Sequence, residues 1–245
     1  MKPEVRIFTQ PGIMADSLAE EFYRSVIEQF QTRQRLYIAL SGGNTPLLFF
    51  TNLSEFDQSK KNKIDWKKIF FFWGDERCVP PDDEESNYGT ANEVLFSKIN
   101  IPEANILRIM GENDPKEEAE RYSKLIKEMV PLKYGVPVFD WVFLGVGDDG
   151  HTASLFPNQI DLVNSKNICE VSTHPQSGQK RITLTGTILN MAKRVTFMAT
   201  GEDKQQVVKH ILNSESPARK YPAYMIKPEY GRLDWYLDSV AADLM

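Results

Sequence analysis

Three short runs of apolar residues place the strongest constraint on the fold. They are Leu36–Leu40, Ile69–Trp73 and Trp141–Val146, and each is rich in aromatic or branched side chains. Runs of this kind predict β-strands that are buried on both faces, as in parallel sheets covered by helices. Segments with helical periodicity alternate with the strands. The pattern indicates a three-layer α/β/α fold with a doubly wound, mostly parallel, Rossmann-like sheet.

The remaining elements are predicted from periodicity and from helix-start signals. Further strands are expected at Val5–Phe8, Ile106–Ile109, Ile168–Ser172, Arg181–Thr185 and Arg194–Thr200. Leu233–Leu244 is expected to begin as a strand and to continue into a helix. The apolar residues from Leu18 to Phe30 have the spacing of one face of a helix. Further helices are expected after an N-cap at Ser86 and at Pro115–Val130, Thr187–Ala192 and Gly201–His210. Thr45 is the expected N-cap of another helix that begins at Pro46, and Asp57–Lys68 is interpreted as a polar surface connection. No repeat or linker divides the chain, which predicts a single domain over residues 1–245.

Charge and cysteine content exclude several classes of function. A net charge of −5 argues against binding to nucleic acid or to an anionic membrane surface. The first residues contain no apolar leader and no run reaches membrane-spanning length, so we expect a cytoplasmic protein. Cys78 and Cys169 are too few and too isolated for a disulfide framework or a zinc site, and no other metal-ligand spacing is present.

Polar, charged and glycine residues follow several of the predicted strands. They are Ser41, Gly42, Gly43, Asn44, Thr45, Asp75, Arg77, Asp149, His151 and Arg181, with Lys204 near the start of a later helix. Ligands of open α/β sheets bind beyond the carboxyl ends of the strands, so we expect these residues to line one site. A Gly-rich turn that enters a helix favours a phosphate ligand, as do Arg and Lys. His151 is the leading candidate for a general base.

Some of these residues also fit ordinary structural explanations. The Ser41–Thr45 segment is also consistent with a plain strand-to-helix turn, and Asp149 with a turn cap beside Gly150. Arg77 is also consistent with pairing to Asp75 or to the acidic loop that follows it. From the residues alone, the prediction is therefore an enzyme or binder for a small phosphorylated compound.

A dinucleotide site is the main alternative that the same stretch suggests. Gly145–Gly150 matches the pattern G-x-G-x-x-G, and Glu170 follows twenty residues later. Asp148 and Asp149 would, however, direct negative charge at a pyrophosphate. Pro157 interrupts the segment in which a phosphate-binding helix is required. We therefore disfavour a dinucleotide ligand.

A series of motifs along the chain resembles the 6-phosphogluconolactonase family. The motifs are Leu40-Ser-Gly-Gly-Asn-Thr-Pro46, Trp73-Gly-Asp-Glu-Arg77, Ser86-Asn-Tyr88, Gly147-Asp-Asp-Gly-His-Thr-Ala-Ser-Leu-Phe-Pro157 and Arg181-Ile-Thr-Leu-Thr185. With Gly201-Glu-Asp-Lys204 and the segment around Trp235, they span nearly the whole chain. The resemblance implies hydrolysis of 6-phosphoglucono-δ-lactone to 6-phosphogluconate in the oxidative pentose phosphate pathway. It also implies that no metal or organic cofactor takes part.

Two other functions share the fold that this resemblance implies. Glucosamine-6-phosphate deaminase resembles D-G-H-I-A-F-N-E-P at the central motif, with a Glu where this chain has Phe156. It also has Tyr where this chain has Arg77, and both differences favour the lactonase. A non-catalytic sugar-phosphate-binding domain is a further alternative, although such domains are usually joined to a DNA-binding segment for which the chain has no spare residues.

The resemblance also implies roles for the site residues. His151 would take a proton from the attacking water, Asp149 would orient its ring, and Arg77 would contact the oxyanion or the phosphate. Asp75 belongs to the same catalytic set. The predicted substrate-binding residues are Ser41, Gly42, Gly43, Asn44, Thr45, Arg181 and Lys204, which would hold the phosphate. The expected partner is a small phosphorylated sugar lactone, bound by a monomer or a small homo-oligomer.

Overall fold

The structure is a computed structural model that describes residues 3–61 and 63–245. The strands are β1 Glu4–Phe8, β2 Leu36–Leu40, β3 Ile69–Trp73, β4 Asp75–Arg77, β5 Leu132–Lys133, β6 Val136–Pro137, β7 Trp141–Gly145, β8 Cys169–Thr173, β9 Lys180–Leu184, β10 Arg194–Ala199 and β11 Arg232–Asp238. The α-helices are α1 Pro11–Phe30, α2 Asn44–Ser59, α3 Asn87–Val94, α4 Pro115–Met129, α5 Gly186–Met191, α6 Gln205–Leu212 and α7 Pro222–Met225. Within the described ranges, no helix has the length and apolar character needed to cross a membrane.

Six strands form a central sheet in the order β1-β11-β10-β7-β2-β3, and every neighbouring pair is parallel. Every residue of β2, β3 and β10 is buried. Continuous apolar sequence and burial on both faces go together, because a parallel sheet is covered by its crossover helices. The predicted α/β fold with a mostly parallel sheet is confirmed.

Aromatic side chains show how the two faces of the sheet are covered. Phe22 of α1 packs against Trp141 and Phe143 of β7, with ring centroids 5.8 and 6.2 Å away. On the opposite face, Phe72 of β3 contacts Tyr122 of α4 at 6.3 Å. Because successive side chains of a strand point to opposite faces, helices α1 and α4 lie on opposite sides of the sheet. The result is three layers.

Three further strands form a separate antiparallel sheet in the order β4-β9-β8. The strands predicted at Ile168–Ser172 and Arg181–Thr185 are present, but they lie outside the parallel sheet. Only six residues separate Thr173 from Lys180, whereas a parallel connection needs a dozen or more. A tight turn closed by His174 N–H to the Gln179 carbonyl joins β8 to β9 instead.

Gly74 is the single residue between β3 and β4, and it connects the two sheets. Its N–H donates to the carbonyl of Leu40 in the parallel sheet at 2.7 Å. Its own carbonyl accepts from the N–H of Leu184 in the antiparallel sheet, also at 2.7 Å. The backbone therefore passes from one sheet to the other within one residue, and both peptide groups of that residue are hydrogen-bonded.

The predicted strand at Ile106–Ile109 is wrong, since only Ile106 forms an isolated bridge, to Phe71. The hydroxyl of Tyr122 provides the physical reason. It accepts from the N–H of Trp73 at 2.8 Å and lies 3.0 Å from the carbonyl of Leu107, to which it donates. A side chain therefore takes the hydrogen bonds that a further strand would have formed.

Two helix boundaries and the carboxyl terminus also differ from the prediction. Helix α2 begins at Asn44 and is preceded by Gly43 at φ 101°, so Thr45 is not its N-cap. The left-handed conformation, which favours glycine, turns the chain before Thr45 is reached. The segment predicted as one helix at Gly201–His210 is a 3₁₀ turn at Glu202–Lys204 followed by α6. After β11 the chain continues in turns rather than in a helix.

The predicted surface connection at Asp57–Lys68 is exposed at most of its described residues, but Asp57, Ile64 and Trp66 are buried. Asp57 lies in α2 and accepts hydrogen bonds from the Tyr23 hydroxyl and from the Trp66 indole at 3.0 Å. Lys63 forms an ion pair with the same carboxylate at 3.4 Å. Burial and the hydrogen bond to Asp57 raise the pKa of Tyr23 above its usual range. One carboxylate thus fastens α1, α2 and the following loop together.

We expect Asp57→Ala to lower the free energy of unfolding by about 2–4 kcal/mol. The substitution leaves two buried donors without an acceptor, and each costs about 1–3 kcal/mol. Urea denaturation measures the change, with Glu55→Ala on the exposed side of α2 as the matched control, expected within about 0.5 kcal/mol of the parent. Equal stabilities of the two variants would contradict the structural role of Asp57.

Candidate active site

The carboxyl ends of the parallel strands open into a cavity of about 320 Å³. Among the residues that line it are the predicted Ser41, Gly42, Gly43, Asn44, Thr45, Asp75, Arg77, His151, Arg181 and Lys204. Residues from both sheets therefore meet at one place, as expected for a ligand site beyond the strand ends. Of the predicted set, Asp149 alone does not line the cavity, and it lies directly behind His151.

His151 is held by the tight loop that follows β7. The N–H of Gly147 donates to the His151 carbonyl at 2.9 Å, and the Thr152 hydroxyl donates to the Gly145 carbonyl at 2.8 Å. Asp149 Oδ1 accepts both from the backbone N–H of His151 at 2.9 Å and from its ring Nδ1 at 2.6 Å. Asp149 therefore caps the turn and orients the imidazole at the same time, so the two interpretations of this residue are compatible.

The hydrogen bond to Asp149 determines which ring nitrogen is available for chemistry. An ionised carboxylate only accepts hydrogen bonds, so Nδ1 of the neutral ring carries the proton and Nε2 keeps its lone pair. Burial raises the pKa of Asp149, but the hydrogen bonds from the ring and backbone of His151 outweigh it and hold the pKa below its usual value. Asp149 is therefore an anion at neutral pH, suited to stabilise an imidazolium.

Two neighbours restrict the position of the imidazole. A Cβ atom at Gly147 would lie 2.1 Å from His151 Nδ1, so only glycine leaves room for the ring there. The Phe156 ring is fully buried and its centroid lies 5.0 Å from that of His151. An apolar ring thus stands against the imidazole, and it can neither donate nor accept a proton.

Arg77 and Arg181 face each other across the antiparallel strands β4 and β9. Like charges directly opposite each other destabilise a sheet unless something compensates them. Arg77 Nη1 donates to the Glu85 carbonyl at 2.7 Å, but the buried Nε atoms of both arginines have no hydrogen-bond partner among the described residues. Burial lowers the pKa of Arg181, Asp75 opposes that change, and Arg77 adds to it. Two cations that share one wall of the cavity are suited to an anionic ligand.

The amino end of α2 forms another wall of the cavity. Its first backbone N–H groups have no partner within the helix and lie at the positive end of the helix dipole. The Thr45 hydroxyl is 2.9 Å from the hydroxyl of Thr200. Lys204 also lines the cavity, and its ammonium group pairs with Asp203 at 2.7 Å. Helix N–H groups, hydroxyls and a lysine together form a second region that favours an anion.

Ser154 and Asn87 are among the polar residues of the site that were not identified from the sequence as site residues. Ser154 Oγ donates to Asp75 Oδ2 at 2.7 Å and so fixes that buried carboxylate. Asn87 Nδ2 donates to the backbone carbonyl of Asp75 at 2.9 Å, and Asn87 lines the cavity. Both residues lie within motifs that carried the family resemblance, but neither follows directly after a strand. The positions of the strand ends alone therefore do not predict these two residues.

Comparison with known proteins assigns the family. The family model described as "Glucosamine-6-phosphate isomerases/6-phosphogluconolactonase" matches residues 10–235. The chain belongs to this family. A 6-phosphogluconolactonase of Haemophilus influenzae is 42% identical over 230 residues, which cover 94% of each chain. One of Synechocystis is 34% identical over 245 residues, which cover 99% of this chain and 98% of the relative.

Solved structures agree with this family assignment. The crystal structure of a devB protein superposes with a TM-score of 0.90 at 46% identity, covering 98% of each chain. The 6-phosphogluconolactonase of Trypanosoma brucei superposes with a TM-score of 0.88 at 29% identity, covering 99% of this chain and 98% of its own. A monomeric glucosamine-6-phosphate deaminase at 20% identity has a TM-score of 0.82 and shares the fold. Within the family, the residues of the cavity must therefore distinguish the two reactions.

Proposed function

We propose that this protein hydrolyses 6-phosphoglucono-δ-lactone to 6-phosphogluconate, the second step of the oxidative pentose phosphate pathway. The observation that carries the proposal is the hydrogen-bonded pair of Asp149 and His151 beside a cavity that also contains Arg77, Arg181 and Lys204. A base and several fixed cations are what the hydrolysis of a phosphorylated lactone requires. The relatives named 6-phosphogluconolactonase support the same reaction.

In the proposed mechanism, His151 Nε2 takes a proton from a water molecule as its oxygen attacks the lactone carbonyl carbon. The negative charge of Asp149 stabilises the imidazolium that forms. Collapse of the tetrahedral intermediate breaks the bond between that carbon and the ring oxygen. The imidazolium returns its proton to the departing oxygen, which regenerates neutral His151 and leaves the open-chain acid.

We further propose that Ser41 to Thr45, Arg181 and Lys204 bind the phosphate group. The amino end of α2 and Lys204 supply N–H donors and charge on one wall, and Arg181 supplies a guanidinium on another. Arg77 lies opposite Arg181 on the cavity wall, which supports a contact with either the phosphate or the developing oxyanion. Asp75, held by Ser154, limits the local excess of positive charge.

Phe156 favours the lactonase over the deaminase. In the deaminase pattern a Glu at this position assists the catalytic His, and a carboxylate can accept or hold a proton. The buried ring of Phe156 against His151 can do neither. Lactone hydrolysis needs a single acid–base group that acts twice, and His151 provides one. The base and its orienting carboxylate also favour an enzyme over a passive sugar-phosphate binder.

We also propose that residues 1–245 form one domain. A single cluster of buried apolar residues extends from Met14 to Ala242 and includes residues of α1, α4 and the central sheet. The cavity takes residues from segments as distant as Ser41 and Lys204, so all of these segments are needed to form it.

The reaction is tested with purified protein in two assays run in parallel. We expect opening of 6-phosphogluconolactone well above its spontaneous rate, followed by coupled oxidation of the product, and unchanged activity in the presence of EDTA. We expect no ammonia release from glucosamine 6-phosphate, because Phe156 cannot assist that reaction. Ammonia release without lactone opening would overturn the proposed function, and inactivity in both assays would favour a binding protein.

We expect His151→Ala to lower kcat by about 10²–10⁴-fold, the usual contribution of a general base. Asp149→Asn should cause a smaller loss, since the amide still accepts from Nδ1 but no longer stabilises the imidazolium by charge. Steady-state kinetics measure both effects, and thermal unfolding checks that each variant is folded. A folded His151→Ala variant with the parent kcat would show that another group is the base.

The phosphate-binding role is tested by removing the phosphate from the substrate. Arg181→Ala and Lys204→Ala should each lower kcat/KM for the phosphorylated lactone by about 10–150-fold, the value of a charge-assisted hydrogen bond. On gluconolactone, which lacks the phosphate, both variants should match the parent. Lys180→Ala is the control, because Lys180 is exposed next to Arg181 and donates to Thr173. Equal losses on both lactones would exclude a specific phosphate contact.

A further inference from the structure

The amino end of helix α3 presents a polar group to the cavity that the proposed mechanism does not use. Asn87 is the first residue of α3, is 5% exposed and lines the cavity. Ser86 is the N-cap, and its hydroxyl accepts from the N–H of Gly89 at 3.0 Å. The end of the helix is therefore well defined, and Asn87 occupies a fixed position.

Glu76 fastens this end of α3 to strand β4. Its Oε1 accepts from the backbone N–H groups of Arg77 and Asn87, both at 2.8 Å. Its Oε2 accepts from the Tyr88 N–H at 2.8 Å and from the Ser86 hydroxyl at 3.2 Å. Burial raises the pKa of Glu76 to about 7, although these N–H groups favour the ionised form. One carboxylate thus sets the distance between the backbones of Arg77 and Asn87.

Hydrogen bonding fixes the orientation of the Asn87 amide. Nδ2 donates to the Asp75 carbonyl at 2.9 Å, so Oδ1 must point the other way. It points towards Gly42, where a Cβ atom would come within 1.7 Å of it. No donor in residues 3–61 or 63–245 bonds to Oδ1. The cavity wall therefore contains an oriented acceptor without a partner in the protein.

The chemistry of the cavity indicates what this acceptor is for. Arg77, Arg181, Lys204 and the amino end of α2 are all donors, which suit a phosphate and an oxyanion. A sugar lactone also carries hydroxyl groups, and each of them needs an acceptor when it leaves water. An amide oxygen supplies one without adding a negative charge beside the phosphate, as a carboxylate would.

We propose that Asn87 Oδ1 accepts a hydrogen bond from one ring hydroxyl of the substrate and thereby selects hydroxylated sugar lactones. The inference rests on the proposed lactonase function. A bound lactone that lacks this hydroxyl would leave the Asn87 acceptor buried and unpaired. An unpaired buried polar group discriminates between substrates more strongly than a missing apolar contact does. Asn87 is then a binding residue, and Glu76 is the residue that positions it.

The test compares 6-phosphogluconolactone with its 2-deoxy, 3-deoxy and 4-deoxy analogues. The parent protein should show kcat/KM about 5–100-fold lower for one of the three, the range expected for an unpaired buried acceptor. In Asn87→Ala, kcat/KM should fall by about the same factor for the full substrate and for the two analogues that the parent accepts well. For the analogue that the parent discriminates against, kcat/KM should not fall further. Asn92→Ala, on the same helix and outside the cavity lining, should match the parent.

Asn87→Asp separates hydroxyl binding from support of the fold. It keeps an acceptor at the Oδ1 position but cannot donate to the Asp75 carbonyl, and it adds a negative charge near the phosphate. We expect lower kcat/KM on every phosphorylated lactone, with the discrimination against the single deoxy analogue retained. Equal losses by Asn87→Ala on all four lactones, or loss of discrimination in Asn87→Asp, would overturn the inference. Lack of lactone opening by the parent would instead refute the proposed function.

Discussion

Burial of the parallel sheet on both faces is the constraint on which the rest of the structure depends. The residues of β2, β3 and β10 are all buried, so the interior of the sheet offers no place for groups that must meet a substrate. Such groups are confined to the ends of strands and to the loops that follow them. The sequence alternates accordingly between apolar runs and short polar segments, and His151 lies in one of these segments.

The two edges of the sheet differ in how their charged side chains are paired. At the amino edge, Arg194 donates to Asp234 at 2.5 Å and to Glu21 at 2.9 Å, so one buried arginine is paired with two buried carboxylates. At the carboxyl edge, Arg77 and Arg181 face each other, and no carboxylate of residues 3–61 or 63–245 forms an ion pair with either of them. The charges at the first edge are paired within the protein, whereas the two arginines at the second edge can pair with an anionic substrate.

The sequence was sufficient for the features that depend on local pattern. Apolar runs predicted the strands of the parallel sheet, and the polar residues at their ends predicted which side chains would share a cavity. Partners distant in the chain could not be foreseen. The Tyr122 hydroxyl forms the hydrogen bonds expected of the predicted strand at Ile106–Ile109. The sequence around Asp57 is typical of a surface segment, and its contacts with Tyr23 and Trp66 are visible only in the structure. The orientation of the Asn87 amide is set by its contacts with Asp75 and Gly42, which are distant in the sequence.

The separate antiparallel sheet also escaped prediction, because a run such as β9 gives no indication of which sheet it joins. One link between the two sheets is a single residue. Gly74 joins the parallel sheet through its N–H and the antiparallel sheet through its carbonyl. The spacing between the arginine pair and the His151 loop also depends on side chains, because Ser154 of that loop donates to Asp75 of β4 at 2.7 Å. Because both bonds of Gly74 are made by the backbone, core side chains can be exchanged for others of similar volume without removing this link between the sheets.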